Sequence, residues 1–305
     1  MDAVTIHEVG ARDGLQLEQQ VVPLALKEDW IRRVLGAGVD AVQVGSFVHP
    51  EKVPQMADTD ELVRRLVADR PARGTLSGLV LNERGLERAL ACGVDLVCLG
   101  ASASDTHSRR NTGLGTEEAT RRIIATAQAA LAAGKPVQVS VQSAFGCGFE
   151  GEIPEDRVVG MVGTYLQAGL RTISLADTAG HAHPAQVERL FGAIQELDAD
   201  VEFTCHFHNT YGLGMANIFA ALRAGVAVVE TSFAGLGGCP FTRVAAGNVA
   251  TEDFVHALQR QGDRMDLHLD ALVQTARDVA TFFGRELPGF VYRTGPIHSL
   301  AKEPV

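Results

Sequence analysis

The chain has 305 residues, 46% of them hydrophobic and 21% charged, which is enough for one large domain or two ordinary ones with a sizeable core. Its net charge of −10, with no run of Lys or Arg, argues against a nucleic-acid partner or an anionic-membrane surface and favours a soluble cytoplasmic enzyme. No apolar stretch approaches the ~20 residues of a membrane span, so no membrane partner is expected. The five cysteines are odd in number and widely spaced, which indicates a reducing compartment rather than a disulfide framework.

Short apolar runs rich in Val, Ile and Leu alternate with longer segments of helical period along most of the chain. This alternation is typical of repeated βα units rather than of all-β or all-helical folds. The predicted strands, in chain order, are Val4–Val9, Ala41–Val44, Thr75–Val80, Leu96–Leu99, Val137–Val141, Thr172–Leu175, Glu202–Phe207 and Val228–Ser232. Eight such units predict an α/β fold of the closed (β/α)8 type, a TIM barrel with extra C-terminal helices.

Two of those extra helices are predicted after the eighth strand, at Thr251–Gln261 and Leu269–Phe283, where they would close the barrel or cover a mouth. Beyond residue 284 the sequence is rich in Pro and Gly and lacks periodicity. We therefore expect one catalytic barrel with capping helices over residues 1–284. Residues 285–305 are expected to form a tail that is either loose or an interface element.

Two histidines, His206 and His208, lie at the end of the seventh predicted strand. Because side chains alternate along a strand, both imidazoles face the same side and can ligate one metal ion. Two unrelated strand histidines would give the same pattern. The metal interpretation therefore depends on finding further ligands.

Oxygen donors at neighbouring strand ends are the natural source of those ligands. Asp13 follows the first strand and Asn248 lies beyond the eighth, and a closed barrel brings strands seven, eight and one together. Taken singly, each residue is also typical of a turn. Such a mixed set with open positions suits Mg²⁺, Mn²⁺ or Zn²⁺ and argues against a structural zinc site.

Two more residues can carry chemistry beside the metal. Arg12 can stabilise an enolate through its planar set of donors, although a surface arginine is equally compatible with the sequence. Cys239 lies in the glycine-rich segment Gly235–Pro240, where a thiol can act as acid or base unless it is an incidental loop cysteine.

Lysines decide against one rival mechanism. Schiff-base aldolases of this fold need a lysine inside the barrel, and no lysine falls at the mouth end of a predicted strand. Carbon–carbon bond chemistry in this chain would therefore be metal-assisted.

The sequence resembles the 3-hydroxy-3-methylglutaryl-CoA lyase family, metal-dependent (β/α)8 lyases with an Arg-Asp-Gly motif after the first strand. The resemblance runs from about residue 4 to residue 262. The motifs that carry it are Glu8–Gln16, Ser46–Val48, Val53–Met56, Gly235–Pro240 and Gly247–Asp253.

The resemblance implies a role for each site residue. Arg12 would stabilise an enolate, Cys239 would serve the proton transfers, and Asp177 would exchange a proton with the substrate hydroxyl. The implied metal ligands are Asp13, His206, His208 and Asn248. The implied substrate-binding residues are Gln16, Gln43, Ser46, Arg109, Arg110, Asn111 and Glu252, with the basic pair near the phosphates of coenzyme A.

Several positions depart from the family pattern. Gln43 replaces a usual Glu on the second strand, Gln19 replaces a Lys that contacts coenzyme A, and Asn209 replaces an Asp. His181 and His183 stand where the family has no histidine, and exposed loop residues explain them at least as well as substrate contacts. Glu252 is also compatible with an exposed acid at a helix N-terminus.

The sequence thus predicts a metal-dependent lyase that cleaves a 3-hydroxyacyl-CoA to acetyl-CoA and a keto acid, in a homo-oligomer of the kind common for this fold. A lyase for another tertiary alcohol, such as citramalyl-CoA, is favoured by Gln43. A condensing enzyme of the isopropylmalate-synthase type is a second alternative. A scaffold that keeps the metal without turnover is a third.

Overall fold

The computed structural model describes residues 4–238 and 247–297. Eight parallel strands pair in chain order and close on themselves, with β1 beside both β2 and β8. The strands are β1 (Thr5–Glu8), β2 (Ala41–Ser46), β3 (Thr75–Leu79), β4 (Leu96–Ser102), β5 (Val137–Gln142), β6 (Thr172–Asp177), β7 (Glu202–Phe207) and β8 (Val228–Thr231). Each predicted strand overlaps an observed one, so the (β/α)8 barrel prediction is confirmed.

Helices surround the barrel in the described part of the chain. They are α1 (Leu24–Gly36), α2 (Thr59–Ala68), α3 (Glu83–Cys92), α4 (Asp105–Thr112), α5 (Thr116–Ala132), α6 (Glu155–Gln167), α7 (Pro184–Gln195), α8 (Gly214–Arg223), α9 (Thr251–Gln261), α10 (Leu269–Phe283) and α11 (Val291–Thr294). The two helices predicted after the eighth strand, α9 and α10, begin and end at the predicted residues. No helix of residues 4–238 or 247–297 combines the length and the apolar character needed to cross a bilayer.

Helix α3 is one example in which local sequence signals set both ends of a helix. The Asn82 side chain accepts a hydrogen bond from the amide of Gly85 at 2.9 Å, which caps the first turn. Gly93 ends the helix with φ 86°, a left-handed conformation that glycine adopts without strain. The chain can then turn directly into β4.

Helix α10 packs on the outside of the barrel, between the first and the last βα units. Trp30 of α1 is buried and makes edge-on ring contacts with two phenylalanines. Its ring centroid lies 5.8 Å from that of Phe282 on α10 and 5.9 Å from that of Phe233, which follows β8. The segment beyond residue 284, predicted as a tail, packs onto this region through the buried Leu287 and Tyr292. The domain boundary at residue 284 stays a prediction.

The inside of the barrel is polar. Gln138 of β5 hydrogen-bonds to Glu230 of β8, and His7 of β1 hydrogen-bonds to Ser77 of β3. The two strands of each pair are not neighbours in the sheet. Such contacts are possible only across the barrel interior. The apolar core therefore lies mainly between the strands and the helices, and the interior is left to charged and polar groups.

Candidate active site

Three of the predicted metal ligands converge at the C-terminal end of the barrel. The Nε2 atoms of His206 and His208 lie 3.1 Å apart, and Asp13 Oδ2 lies 3.8 Å and 3.7 Å from them. All three side chains are buried. The convergence expected from neighbouring strand ends is therefore present, and this group can hold a metal ion.

A short π-helical turn, Gly10–Gly14, aims Asp13 at this point. The backbone leaves β1 and folds back, so that the amide of Asp13 donates to the carbonyl of Val9 at 2.7 Å. A Cβ on Gly14 would lie 3.0 Å from the Ser232 hydroxyl oxygen. The glycine therefore allows the turn to approach the end of β8 closely.

Asn248 supplies a fourth side chain to the group. It forms an isolated bridge with His208, and its Nδ2 donates to Asp13 Oδ2 at 2.9 Å. Its Oδ1 is buried and has no hydrogen-bond partner in the part of the chain that the structure describes. The two ends of an amide are nearly indistinguishable in shape, so a half-turn would present that oxygen beside the carboxylate. One carboxylate, two imidazoles and one amide fit a divalent cation.

The electrostatics keep two of these groups, Asp13 and His208, in the form that binds a cation. Burial opposes ionisation of Asp13, but the Arg12 guanidinium and the two imidazoles outweigh it, so the pKa of Asp13 lies below its ordinary value. Burial, together with the charge of His206, lowers the pKa of His208 to about 4. Asp13 is therefore anionic and His208 neutral near pH 7, the protonation states of metal ligands.

Arg12 lies beside the ligands and is held at two points. Its Nε donates to Gln43 Oε1 and its Nη1 to Asp13 Oδ1. Gln16 also reaches Asp13, with its Nε2 3.1 Å from Oδ1. The structure thus brings Arg12, Gln16 and Gln43 together with Asp13, and the roles predicted for them stay predictions.

Asp177 ends β6, the strand beside β7. It pairs in register with Phe207, whereas Ala176 pairs with His206. Its carboxylate accepts hydrogen bonds from the amides of His181 at 2.8 Å and Ala182 at 3.1 Å. Burial raises its pKa to about 7, and these hydrogen bonds offset only part of the effect.

Two further carboxylates lie beneath the segment after β8. Glu252 is buried and accepts from the amide of Ala234 at 3.1 Å, so it is not the exposed helix acid that the sequence allowed. Glu8 is fully buried and accepts from the amides of Gly10 at 2.6 Å and Phe233 at 2.9 Å. Both carboxylates hold the backbone that leads into the glycine-rich segment.

The remaining predicted residues lie around the mouth. Ser46 ends β2 with a buried hydroxyl that has no hydrogen-bond partner among the described residues. Arg109, Arg110 and Asn111 are exposed on α4, and the Arg110 guanidinium lies 4.1 Å from the centre of the Phe149 ring. Cys239 lies outside the described residues.

Sequence reasoning missed Glu230. This buried carboxylate on β8 lies 2.8 Å from His206 Nδ1. A signal was available, because a glutamate within an otherwise apolar strand of a closed barrel must lie against either the helix layer or the interior.

The HMGL-like family model matches residues 3–279 of this chain. The chain is 38% identical to the (R)-citramalyl-CoA lyase of Chloroflexus aurantiacus, over 98% of this chain and 96% of that protein. It is 35% identical to the hydroxymethylglutaryl-CoA lyase YngG of Bacillus subtilis, over 93% and 95%. An HMG-CoA lyase from Acinetobacter baumannii, solved with coenzyme A and 3-methylmalate, superimposes with a TM-score of 0.91 at 33% identity, covering 99% of this chain and 98% of that one.

Proposed function

Because this chain belongs to the HMGL-like family and is a carbon–carbon lyase, we propose that it cleaves a 3-hydroxyacyl-CoA to acetyl-CoA and a keto acid. The observation that carries the proposal is the buried group of Asp13, His206 and His208 at the barrel mouth, with Arg12 beside it. A substrate of the 3-hydroxy-3-methylglutaryl-CoA type is the first candidate.

Four side chains would hold the divalent cation, and their mixture of oxygen and nitrogen donors suits Mg²⁺, Mn²⁺ or Zn²⁺. They are Asp13, His206, His208 and Asn248. When bound, such a cation supplies Lewis acidity that lowers the pKa of the substrate hydroxyl.

Arg12 is the proposed stabiliser of the enolate. Its Nε and Nη1 are engaged by Gln43 and Asp13, and no hydrogen bond from its Nη2 is found among the described residues. Within the described residues, that donor is available to face the oxygen on which negative charge develops.

The proposed bond cleavage needs one base and one acid. Asp177 accepts the hydroxyl proton, the carbon–carbon bond breaks, and its electron pair passes to the thioester as an enolate. The Cys239 thiol then donates its proton to the enolate carbon, giving acetyl-CoA. For Asp177 to act directly, the substrate hydroxyl or a bridging water must reach its carboxylate beside the amides of His181 and Ala182.

Residues around the mouth are proposed to bind the ester. Arg109, Arg110 and Asn111 would face the phosphates of coenzyme A, with Arg110 supported by the Phe149 ring. Gln16 and Ser46 would contact the acyl part. Glu252, whose carboxylate binds the amide of Ala234, would act by holding the segment after β8.

Citramalyl-CoA is the second candidate substrate. The relative that is 38% identical bears that activity in its name. In this chain Arg12 also meets the neutral amide of Gln43 where a glutamate would add a negative charge. More of the Arg12 charge therefore remains for a substrate whose carboxylate lies close to the hydroxyl carbon.

We place the protein in the cytoplasm as a homo-oligomer. The cytoplasmic placement is supported by the acidic net charge of −10 and by four buried cysteines that form no disulfide among the described residues, Cys92, Cys98, Cys147 and Cys205. The homo-oligomer is proposed because such assemblies are common among soluble proteins.

The test is to load the purified protein with Mg²⁺ or Mn²⁺, add a panel of 3-hydroxyacyl-CoA esters and measure acetyl-CoA release. We expect release from 3-hydroxy-3-methylglutaryl-CoA or citramalyl-CoA, and no release from the His206→Ala variant. If no ester yields acetyl-CoA, the proposed function is wrong. Consumption of acetyl-CoA with a keto acid to give free coenzyme A would instead indicate a condensing enzyme, and bound metal without any turnover a scaffold.

A further inference from the structure

The carboxylate of Glu230 lies inside the barrel, directly behind the metal-binding group, which is formed by Asp13, His206, His208 and Asn248. Glu230 Oε2 lies 2.8 Å from His206 Nδ1, and Glu230 Oε1 accepts from Gln138 Nε2 at 2.7 Å. His7 Nδ1 lies 3.7 Å from Oε1. The Glu230 side chain is buried, so both of its oxygens are held by protein groups rather than by solvent.

The partners of Glu230 are themselves fixed. Gln138 Oε1 accepts from the Thr204 hydroxyl at 3.2 Å, and His7 Nε2 lies 2.7 Å from the Ser77 hydroxyl. These side chains come from five strands, β1, β3, β5, β7 and β8. A network that spans the barrel in this way leaves the Glu230 carboxylate little freedom to move.

The contact between Glu230 and His206 Nδ1 determines which ring nitrogen of His206 can bind a metal ion. A neutral imidazole that donates from Nδ1 carries its lone pair on Nε2, and this is the nitrogen that lies 3.8 Å from Asp13 Oδ2. His208 differs, because its Nδ1 is buried without a hydrogen-bond partner in the described ranges. Of the two imidazoles, His206 alone is anchored from behind by a residue that the structure describes.

We propose that Glu230 is a positioning residue that holds the His206 ring, by accepting its Nδ1–H, with Nε2 directed at the metal-binding group. Glu230 acts through His206 and does not touch the substrate. The inference rests on the metal site of the proposed function but not on which acyl-CoA is cleaved. Gln138 supports it by fixing the other oxygen of the same carboxylate.

The first test is Mn²⁺ binding to purified Glu230→Leu, measured by calorimetric titration of the metal-free protein. Loss of a group that orients a metal-bound histidine costs about 10- to 100-fold in metal affinity, and we expect a loss in that range. Wild-type affinity in the folded variant would overturn the proposal, even if its melting temperature were lower. Glu202→Gln, an exposed change on β7, the strand that carries His206, is the matched control and should bind Mn²⁺ as wild type does.

A double variant separates positioning from packing. In Gln138→Glu with Glu230→Gln, the two side chains exchange their end groups, so volume, net charge and the hydrogen bond between them are retained. The new amide at position 230 must donate to the carboxylate at position 138, which leaves its oxygen to accept from His206 Nδ1. We expect Mn²⁺ affinity within about fivefold of wild type, against the 10- to 100-fold loss in Glu230→Leu. If the exchanged protein binds as weakly as Glu230→Leu, the hydrogen bond does not set the affinity and the proposal fails.

The wild-type titration keeps this inference separate from the proposed function. Wild-type protein that binds Mn²⁺ through His206 but releases acetyl-CoA from no ester would contradict the proposed activity and leave the role of Glu230 standing. Turnover with unaltered Mn²⁺ affinity in Glu230→Leu would do the reverse.

Discussion

Asp13 belongs to the metal-binding group and Glu230 lies behind it, whereas Glu8 and Asp177 lie at the ends of β1 and β6 among backbone amides. All four carboxylates are buried, yet their pKa values move in opposite directions. Burial raises the pKa of Glu8 and of Asp177 to about 7. It also opposes ionisation of Glu230, but His206, His7 and Arg12 lower that pKa to about 2.

The difference lies in the partners. Glu8 and Asp177 are met by amide and hydroxyl dipoles, which offset only part of the cost of burying a charge. Asp13 and Glu230 are met by a guanidinium and by imidazoles. Equal burial therefore leaves Asp13 and Glu230 ionised near pH 7, whereas Glu8 and Asp177 exchange a proton near that pH.

The most severe test of the difference between these carboxylates is Asp13→Ala, which removes the only carboxylate among the proposed metal ligands. Because Asp13 is the anionic member of that group, we expect Mn²⁺ affinity to fall at least about 1,000-fold, beyond the 10- to 100-fold typical of residues that only orient a ligand. Acetyl-CoA release should fall with it. The isosteric Asp13→Asn is the control for packing, and Mn²⁺ binding retained in Asp13→Asn would contradict the assignment.

Asp177→Asn tests whether a carboxylate held by amides can be catalytic. Loss of a proton-transferring group costs about 10²- to 10⁴-fold, so we expect kcat to fall in that range while Mn²⁺ affinity stays as in wild type. In the wild-type enzyme the rate should rise with pH through about 7, because the base must be ionised and its pKa lies there.

The competing role for Asp177 is purely structural. Its two hydrogen bonds to the loop at His181 and Ala182 would then be its whole contribution. A variant that melts at a lower temperature but keeps kcat within about threefold of wild type would assign it that role.

Glu8→Gln tests the pH dependence of stability. The folded pKa of Glu8 is about 7 against 4.5 for the ordinary side chain. Between these values the unfolded chain has lost the proton and the folded chain retains it, so the free energy of unfolding falls as pH rises from 4.5 to about 7. The drop from this one group is on the order of 3 kcal/mol. Glutamine, which cannot ionise, should remove it.

The measurement for Glu8→Gln is urea unfolding at pH 5 and at pH 8. We expect the difference between the two free energies to be smaller in the variant than in the wild type by about 3 kcal/mol. The exposed change Glu202→Gln should leave the difference as it is in the wild type. An unchanged difference in Glu8→Gln would mean that Glu8 is ionised in the folded protein.

Features set by local sequence patterns could be predicted, whereas contacts that depend on the closed barrel could not. The barrel and its strands follow from apolar runs that alternate with helices, and His206, His208 and Asp13 follow from strand alternation and the closing of eight units. Glu230 and Gln138 lie within strands, where only the register of the closed barrel shows that they meet. Glu252 lies in a motif that the family shares, but its burial depends on the fold of the segment after β8, which periodicity does not encode.

Arg110→Ala extends the comparison to an exposed charge and has the smallest expected effect. Arg110 lies in solvent above the Phe149 ring, so water and salt screen its attraction for a phosphate far more than the barrel screens Asp13 from Arg12. A contact of this kind contributes about 1 kcal/mol, and KM for the CoA ester should rise about fivefold with kcat unchanged. Arg121→Ala, an exposed arginine on α5, is the matched control. Because the attraction is screened, the effect on KM should shrink at high salt, and an effect on kcat instead would place Arg110 in the chemistry rather than in ester binding.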